Sequence, residues 1–332
     1  MLPRLLRLSV LPLAACLLVV AGAAHANRYT LVDLGPAKYP SQVNDRGEIA
    51  GSGRNDHAIV WRDGRWRKLA VAISHAEAIN ADGDVAGDDG DHPVLWQRHE
   101  PPRTLPLPGD AFFGLGFGIN DARAVVGVFY DGHAIQCFEW TDEAGPTALG
   151  FMANGDYCEA IAINRHGQIT GEASTTPGGP VHAFLFQDGR FEDLGVLPQG
   201  DSSEGLAINR HGDVAGLASV PPLDGMHHHA TAWRGGRIVD LDPDSEIDQS
   251  FATGINDRGD IVGTITIDDA FTQRGVRFTD AGIVRLDREV RNLGRWHVIQ
   301  AQGVNQRGDI VGVGLGPNGH AHGVLLKLET AD

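Results

Sequence analysis

The chain has 332 residues, 42% hydrophobic and 7% aromatic, with a formal charge of −16 at pH 7. That acidic balance excludes nucleic acid and anionic lipid surfaces as partners, because both need Lys and Arg to neutralise their phosphates. The apolar content can fill a core, and beyond the first segment no apolar run approaches the roughly eighteen residues of a membrane-spanning helix.

In chain order the first element is an export signal. Arg4 and Arg7 precede a mostly apolar run over residues 8–21, and Ala24-His25-Ala26 fits a small-residue cleavage site. This pattern predicts a secretory signal peptide over 1–26, a single domain over 27–332, and delivery to the periplasm or the medium. Leu13-Ala14-Ala15-Cys16 has the spelling of a lipid-attachment box. Cleavage there would leave Leu17-Leu18-Val19-Val20 at the new terminus, an unusually apolar tether, so ordinary export is preferred.

From residue 43 onward one nine-residue pattern recurs. Its clearest copy is Ile255-Asn256-Asp257-Arg258-Gly259-Asp260-Ile261-Val262-Gly263, and the others begin at Val43, Ile79, Ile119, Ile163, Ile208 and Val304. Such a period marks propellers, solenoids or arrays. An apolar run ends at the Asn, three residues turn the chain, and a β-branched pair leads away, as in a hairpin. Asn can cap backbone amides with its side chain, and Gly three residues later supplies the left-handed conformation. Arg123 stands where the other copies have that Gly, so this turn is expected to be reshaped.

Each copy is followed by a strand such as His182-Ala183-Phe184-Leu185-Phe186, then a tight turn such as Asp188-Gly189, then a strand ending in Asp-Leu. Four short strands per repeat predict an all-β fold: a seven-bladed β-propeller of four-stranded antiparallel blades. The last repeat lacks its Asp-Leu strand, and Tyr29-Thr30-Leu31-Val32-Asp33-Leu34 is such a strand without a preceding partner. Residues 29–34 are therefore expected to pair with 324–328, joining the N-terminal and C-terminal strands in one blade. These motifs together resemble the HAF family of probable extracellular repeat proteins, most closely at His182-Ala183-Phe184 and Phe191-Glu192-Asp193-Leu194-Gly195. The resemblance spans residues 29–328 and implies export and repeat architecture; it brings no catalytic residues.

The tight Asn and Asp-Gly turns fall on one face and the longer, variable connections on the other, where binding usually resides. Phe112, Phe113, Phe117, Phe151, Tyr157 and Trp296 sit within or beside those connections and are the candidate ligand contacts, although loops also fold inward and bury aromatics. Cys137 and Cys158 suit a disulfide in an exported chain, with two unpaired core thiols as the alternative.

No metal or other cofactor is assigned. His227 and His228 are neighbouring imidazoles without a completing ligand pattern, and Asp88, Asp89 and Asp91 only superficially resemble a calcium loop. The recurrent His at 57, 92, 182, 229 and 322 reads as a strand-entry hydrogen bond. Asp242, Asp244, Glu246 and Asp248 read as a solvated acidic loop.

The leading functional expectation is an exported binding or interaction module whose partner is an unidentified small molecule, glycan or protein. One alternative is a carbohydrate-active hydrolase or lyase in the central funnel, which requires two or more carboxylates converging on one cleft. Another is a structural envelope protein.

Overall fold

The computed structural model describes residues 28–70, 72–222, 227–243, 249–267 and 272–329. Residues 1–26, where the sequence predicts a signal peptide and which include Cys16, and Asp244, Glu246 and Asp248, lie outside these residues. Among the described residues, twenty-eight strands and one 3-10 turn, Leu286–Arg288, make up the regular structure. Among the described residues no helix is long and apolar enough to cross a membrane.

One repeat shows how the sequence makes a sheet. Cys158–Ile163 runs into the Asn164 turn and Ile169–Ser174 returns beside it; Val181–Gln187 and Arg190–Asp193 complete an antiparallel meander. The same four-strand order recurs behind the first strands Tyr39–Val43, His75–Ile79, Phe113–Ile119, Ser203–Ile208, Gln249–Ile255 and His297–Val304. A single parallel bridge, His228 opposite Gln249, links two of these sheets into one eight-stranded sheet.

The last sheet takes its fourth strand from the other end of the chain. Tyr29–Pro36 pairs antiparallel with Ala321–Leu328, Tyr29 opposite Leu328 and Asp33 opposite Val324. His322 Nδ1 meets Asp33 Oδ1 at 2.8 Å. Within single repeats His182 bonds Asp193 and His229 bonds Asp240 in the same way, so at these three positions the recurrent His ties the third strand to the fourth, whereas His57 bonds Ala72 O and His92 faces Asp89.

The core lies between sheets. Val126 and Cys137 of one repeat pack with Cys158, Ala160 and Phe184 of the next, and Leu34, Val311 and Leu325 of the last sheet pack with Val43 and Ile49 of the first. Cys137 and Cys158, both fully buried, form a disulfide joining two neighbouring sheets.

The Asn turns explain their own spelling. Asn164 Oδ1 accepts from the amides of His166 and Gln168, while its Nδ2 donates to the carbonyl of Asn209 in the next repeat. The inter-repeat bond recurs from Asn44 to Asn80, on through Asn120, Asn164, Asn209, Asn256 and Asn305, and from Asn305 back to Asn44. Contrary to the expectation of a reshaped turn, Arg123 keeps the common geometry. It adopts φ +62° and donates its amide to Asn120 O at 3.0 Å, as the glycines do. Its guanidinium is held by Asp84 Oδ2 at 2.7 Å.

Candidate functional site

In all seven first strands the pairing register slips by one residue, three positions before the Asn. The residues at these bulges are Ser41, Glu77, Phe117, Ile161, Leu206, Thr253 and Gln302. A bulge re-aims side chains and leaves its extra residue outside the ladder. The last Gly of the nine-residue motif makes room for it. A Cβ on Gly171 would collide with Glu159 O, and one on Gly216 with Glu204 O. Only glycine tolerates such an approach. The motif's final residue thus serves the neighbouring strand that carries the channel-facing side chains.

All seven bulge residues line one cavity of about 440 Å³, together with Glu159 and Glu204. Toward the Asn turns the apolar residues Ile119, Ile163, Ile208, Ile255 and Val304 separate it from a second concavity of about 270 Å³, rimmed by Asp45, Asp121, Arg165, Arg210 and Asp257. The larger chamber lies on the side of the first strands away from the Asn turns. Among its described lining residues are three carboxylates and no Lys, Arg or His.

Two of those carboxylates, Glu77 and Glu204, hold their protons more tightly than a carboxylate in water. Burial, reinforced by the charges of Glu172 and Glu159, pushes Glu204 up to about 7. Burial likewise raises Glu77, with Asp88 adding to the effect, and raises Glu172, where Glu159 adds to it. Tyr157 Oη lies 2.8 Å from Glu159 Oε2 and 2.9 Å from Glu172 Oε1. A phenol has one proton to donate, so both contacts are hydrogen bonds only when one of the two carboxyls carries a proton and donates it to the phenol oxygen. Burial, and then the negative charges of Glu172 and Glu159, hold the Tyr157 hydroxyl protonated well above its usual range.

The structure distributes the six candidate aromatics rather than gathering them. Phe117 lines the chamber, and Tyr157 bridges two glutamates of its wall. Phe113 and Phe117 lie on the first strand Phe113–Ile119, not in the connection before it. Phe151 packs against the core cluster around Cys137 and Cys158, and Trp296 sets its edge on His322 with ring centroids 5.2 Å apart. Phe112 is 62% exposed and meets Tyr130 edge-on at 5.6 Å.

The metal candidates have other duties. Asp88 binds His75 Nδ1 and the amide of Gly90; Asp89 caps the amides of Asp91 and His92. His228 lies against the ring of Phe251. Among the described residues no group of His, Cys, Asp and Glu has the geometry to hold a metal ion.

Glu77, Glu159 and Glu204 were missed in the sequence because carboxylates are plentiful and occupy two different strand positions, three and five residues before the Asn. The invariant final Gly was the available signal. A larger groove of about 970 Å³ runs along the outer strands near Arg234, Asp260 and Arg277. These three side chains are already engaged, Arg277 by Glu289, Asp260 by Asn256 and Arg258, and Arg234 by Gly259 O. The central chamber is therefore the stronger candidate despite its smaller size.

No protein-family model matches the sequence, and no curated protein matches it. Solved structures do match the fold. A catalytically inactive virginiamycin B lyase from Staphylococcus aureus, solved with quinupristin, aligns with TM-score 0.57 and 13% identity over 91% of this chain and all of that one. The Pyrococcus horikoshii acylaminoacyl peptidase aligns with TM-score 0.51 and 12% identity, over 89% of this chain and 52% of that one. At such identities the likeness concerns fold alone: this chain has a β-propeller fold.

Proposed function

We propose that this protein is an exported binding module, a seven-bladed propeller closed by its terminal strands, that holds a small ligand in the central chamber. The observation that carries the reading is the bulge site. One backbone device recurs in every repeat, yet the side chains it turns toward the cavity are all different. A scaffold needs the repeated Asn and Gly; only a ligand needs Ser, Glu, Phe, Ile, Leu, Thr and Gln at one height of one channel. Closure is supported by the Asn bond from Asn305 back to Asn44 and by the pairing of Tyr29–Pro36 with Ala321–Leu328. Export rests on the signal-like segment 1–26 and on the HAF-type repeats.

The chamber suits a neutral or cationic ligand with an apolar part, because three carboxylates and Phe117, Ile161 and Leu206 face it without a basic side chain. Calorimetric titration of the mature chain from Asn27 with a panel of sugars and organic amines tests this. A chamber ligand should weaken about tenfold in Glu204→Gln or Phe117→Ala. Binding untouched by both substitutions would move the site to the outer loops.

A second reading has its own observation. Glu204 titrating near neutrality, with Glu159 in the same cavity, provides the acid and base required by a carbohydrate hydrolase or lyase. Release of reducing ends or unsaturated sugars from polysaccharide, abolished by Glu204→Gln, would select it.

A further inference from the structure

Outside the chamber, charge and apolar surface are unevenly placed. Between residues 69 and 164 the chain has fifteen Asp and Glu against Arg98, Arg103 and Arg123. Each arginine is held by a carboxylate, Arg98 by Glu48, Arg103 by Asp142 and Arg123 by Asp84. Arg98 and Arg123 stand at the tight-turn ends of their sheets, and Asp142 draws Arg103 the same way. Within residues 69–164 the long connections at the other end therefore present acidic groups with no Lys or Arg among them; Arg54, in the turn whose Asp56 carbonyl accepts from Ser74 N, borders this surface on the Ile73 side.

Apolar side chains stand exposed in the middle of this acidic surface. Phe112 is 62% exposed, Ile73 61% and Ile135 42%. They belong to neighbouring connections that touch. Phe112 lies edge-on to Tyr130, which pairs with Ile135 across the strand end. Gly114 N donates to Asp91 O, linking this group to the 88–92 turn, and Ile73 Cγ2 lies 4.0 Å from the Cβ position of Gly90. Asp89, Asp91 and Asp110 are exposed around the patch. Isolated exposed apolar residues are ordinary, whereas an apolar group rimmed by charge of one sign marks a contact surface.

We infer that this surface docks a cationic amphipathic segment of a partner polypeptide, an apolar side chain seated against Phe112 and Tyr130 with Lys or Arg facing Asp89, Asp91 and Asp110. The charge argues the occupant: an anionic segment or a second copy of this acidic face is repelled, and a neutral apolar segment leaves the aspartates unused. Phe112 can also accept a cation on its ring face.

The test is titration of the mature chain at pH 8 with three synthetic peptides of equal length: one alternating Lys and Leu, one alternating Glu and Leu, and an all-lysine peptide. The expected result is saturable binding of the Lys-Leu peptide that weakens with salt. It should fall about tenfold in Phe112→Ser and severalfold in the double variant Asp91→Asn with Asp110→Asn, and persist in Glu204→Gln. These side chains are exposed, so the variants should fold. Equal binding of the all-lysine peptide, indifferent to Phe112→Ser, would reduce the surface to unspecific attraction and overturn the inference. Loss of binding in Glu204→Gln alone would assign the peptide to the chamber, overturning the inference while leaving the chamber reading intact.

Discussion

At the scale of residues, two side chains are held in states that they would not choose in water. Glu204 prefers its proton in the folded protein, since its titration is raised from the ordinary 4.5 to about 7. The folded state therefore binds more protons than the unfolded chain between those values, and this group's contribution to stability falls as pH rises through that window. Glu204→Gln keeps the shape without the charge. It should gain on the wild type by about 1–3 kcal/mol at pH 8 and by little at pH 4, read by urea unfolding at both. A constant difference at both pH values would show that Glu204 is not buried as an acid. Arg123 occupies φ +62°, which costs a side-chain-bearing residue about 1 kcal/mol. Both Arg123→Gly and Arg123→Ala lose the Asp84 contact, but only Ala keeps the backbone cost. The Gly variant should be the more stable of the two by about 1 kcal/mol, and equal midpoints would mean the turn relaxes.

At the scale of elements, the Asn hairpin is both turn and clasp. Asn209 accepts from the amides of His211 and Asp213 and donates to Asp213 Oδ2 and to the carbonyl of Asn256. Asn209→Ala strands these buried groups and should cost about 2–4 kcal/mol in equilibrium unfolding. Asn209→Asp restores the acceptor but sets a carboxylate against Asp213. Its loss should be larger at pH 8 than at pH 4, because the paired charges raise the folded titration and stability is lost as pH climbs through it. A pH-independent loss would show that the Asp213 contact contributes nothing.

At the scale of the whole molecule, the terminal strand completes the last sheet and packs against the first. Tyr29 and Leu34 are 2% and 3% exposed, and the strand covers Val324, Leu325 and Leu326. Deleting residues 28–36 uncovers an apolar sheet edge and forfeits at least about 4 kcal/mol of side-chain burial. The expected outcome is a broadened melt by circular dichroism and self-association on size exclusion. A sharp, unshifted transition would mean the sheets stand without the seam, and the proposed closure would fail with it.

Much of this architecture was legible because it is repeated: hairpins, four strands per unit and the pairing of residues 29–34 with 324–328 follow from turn chemistry and alternation, which act locally. The recurrent His was legible as a hydrogen-bonding residue, but the Asp partner that His182, His229 and His322 find on the fourth strand was not. The disulfide between Cys137 and Cys158 needed only two thiols and an oxidising destination to be the leading choice. The chamber was decided by tertiary structure. Glu77, Glu159 and Glu204 come from three repeats and two strand positions, and only the stacking of sheets around the bulges brings them to one cavity. The aromatic residues were scattered for the same reason: Phe113 and Phe117 joined a strand, Phe151 joined the core, and Phe112 alone among the six remained largely exposed. Sequence determines what repeats, since each turn answers to its own few residues; convergence of unlike residues depends on distances between repeats, which no local rule contains.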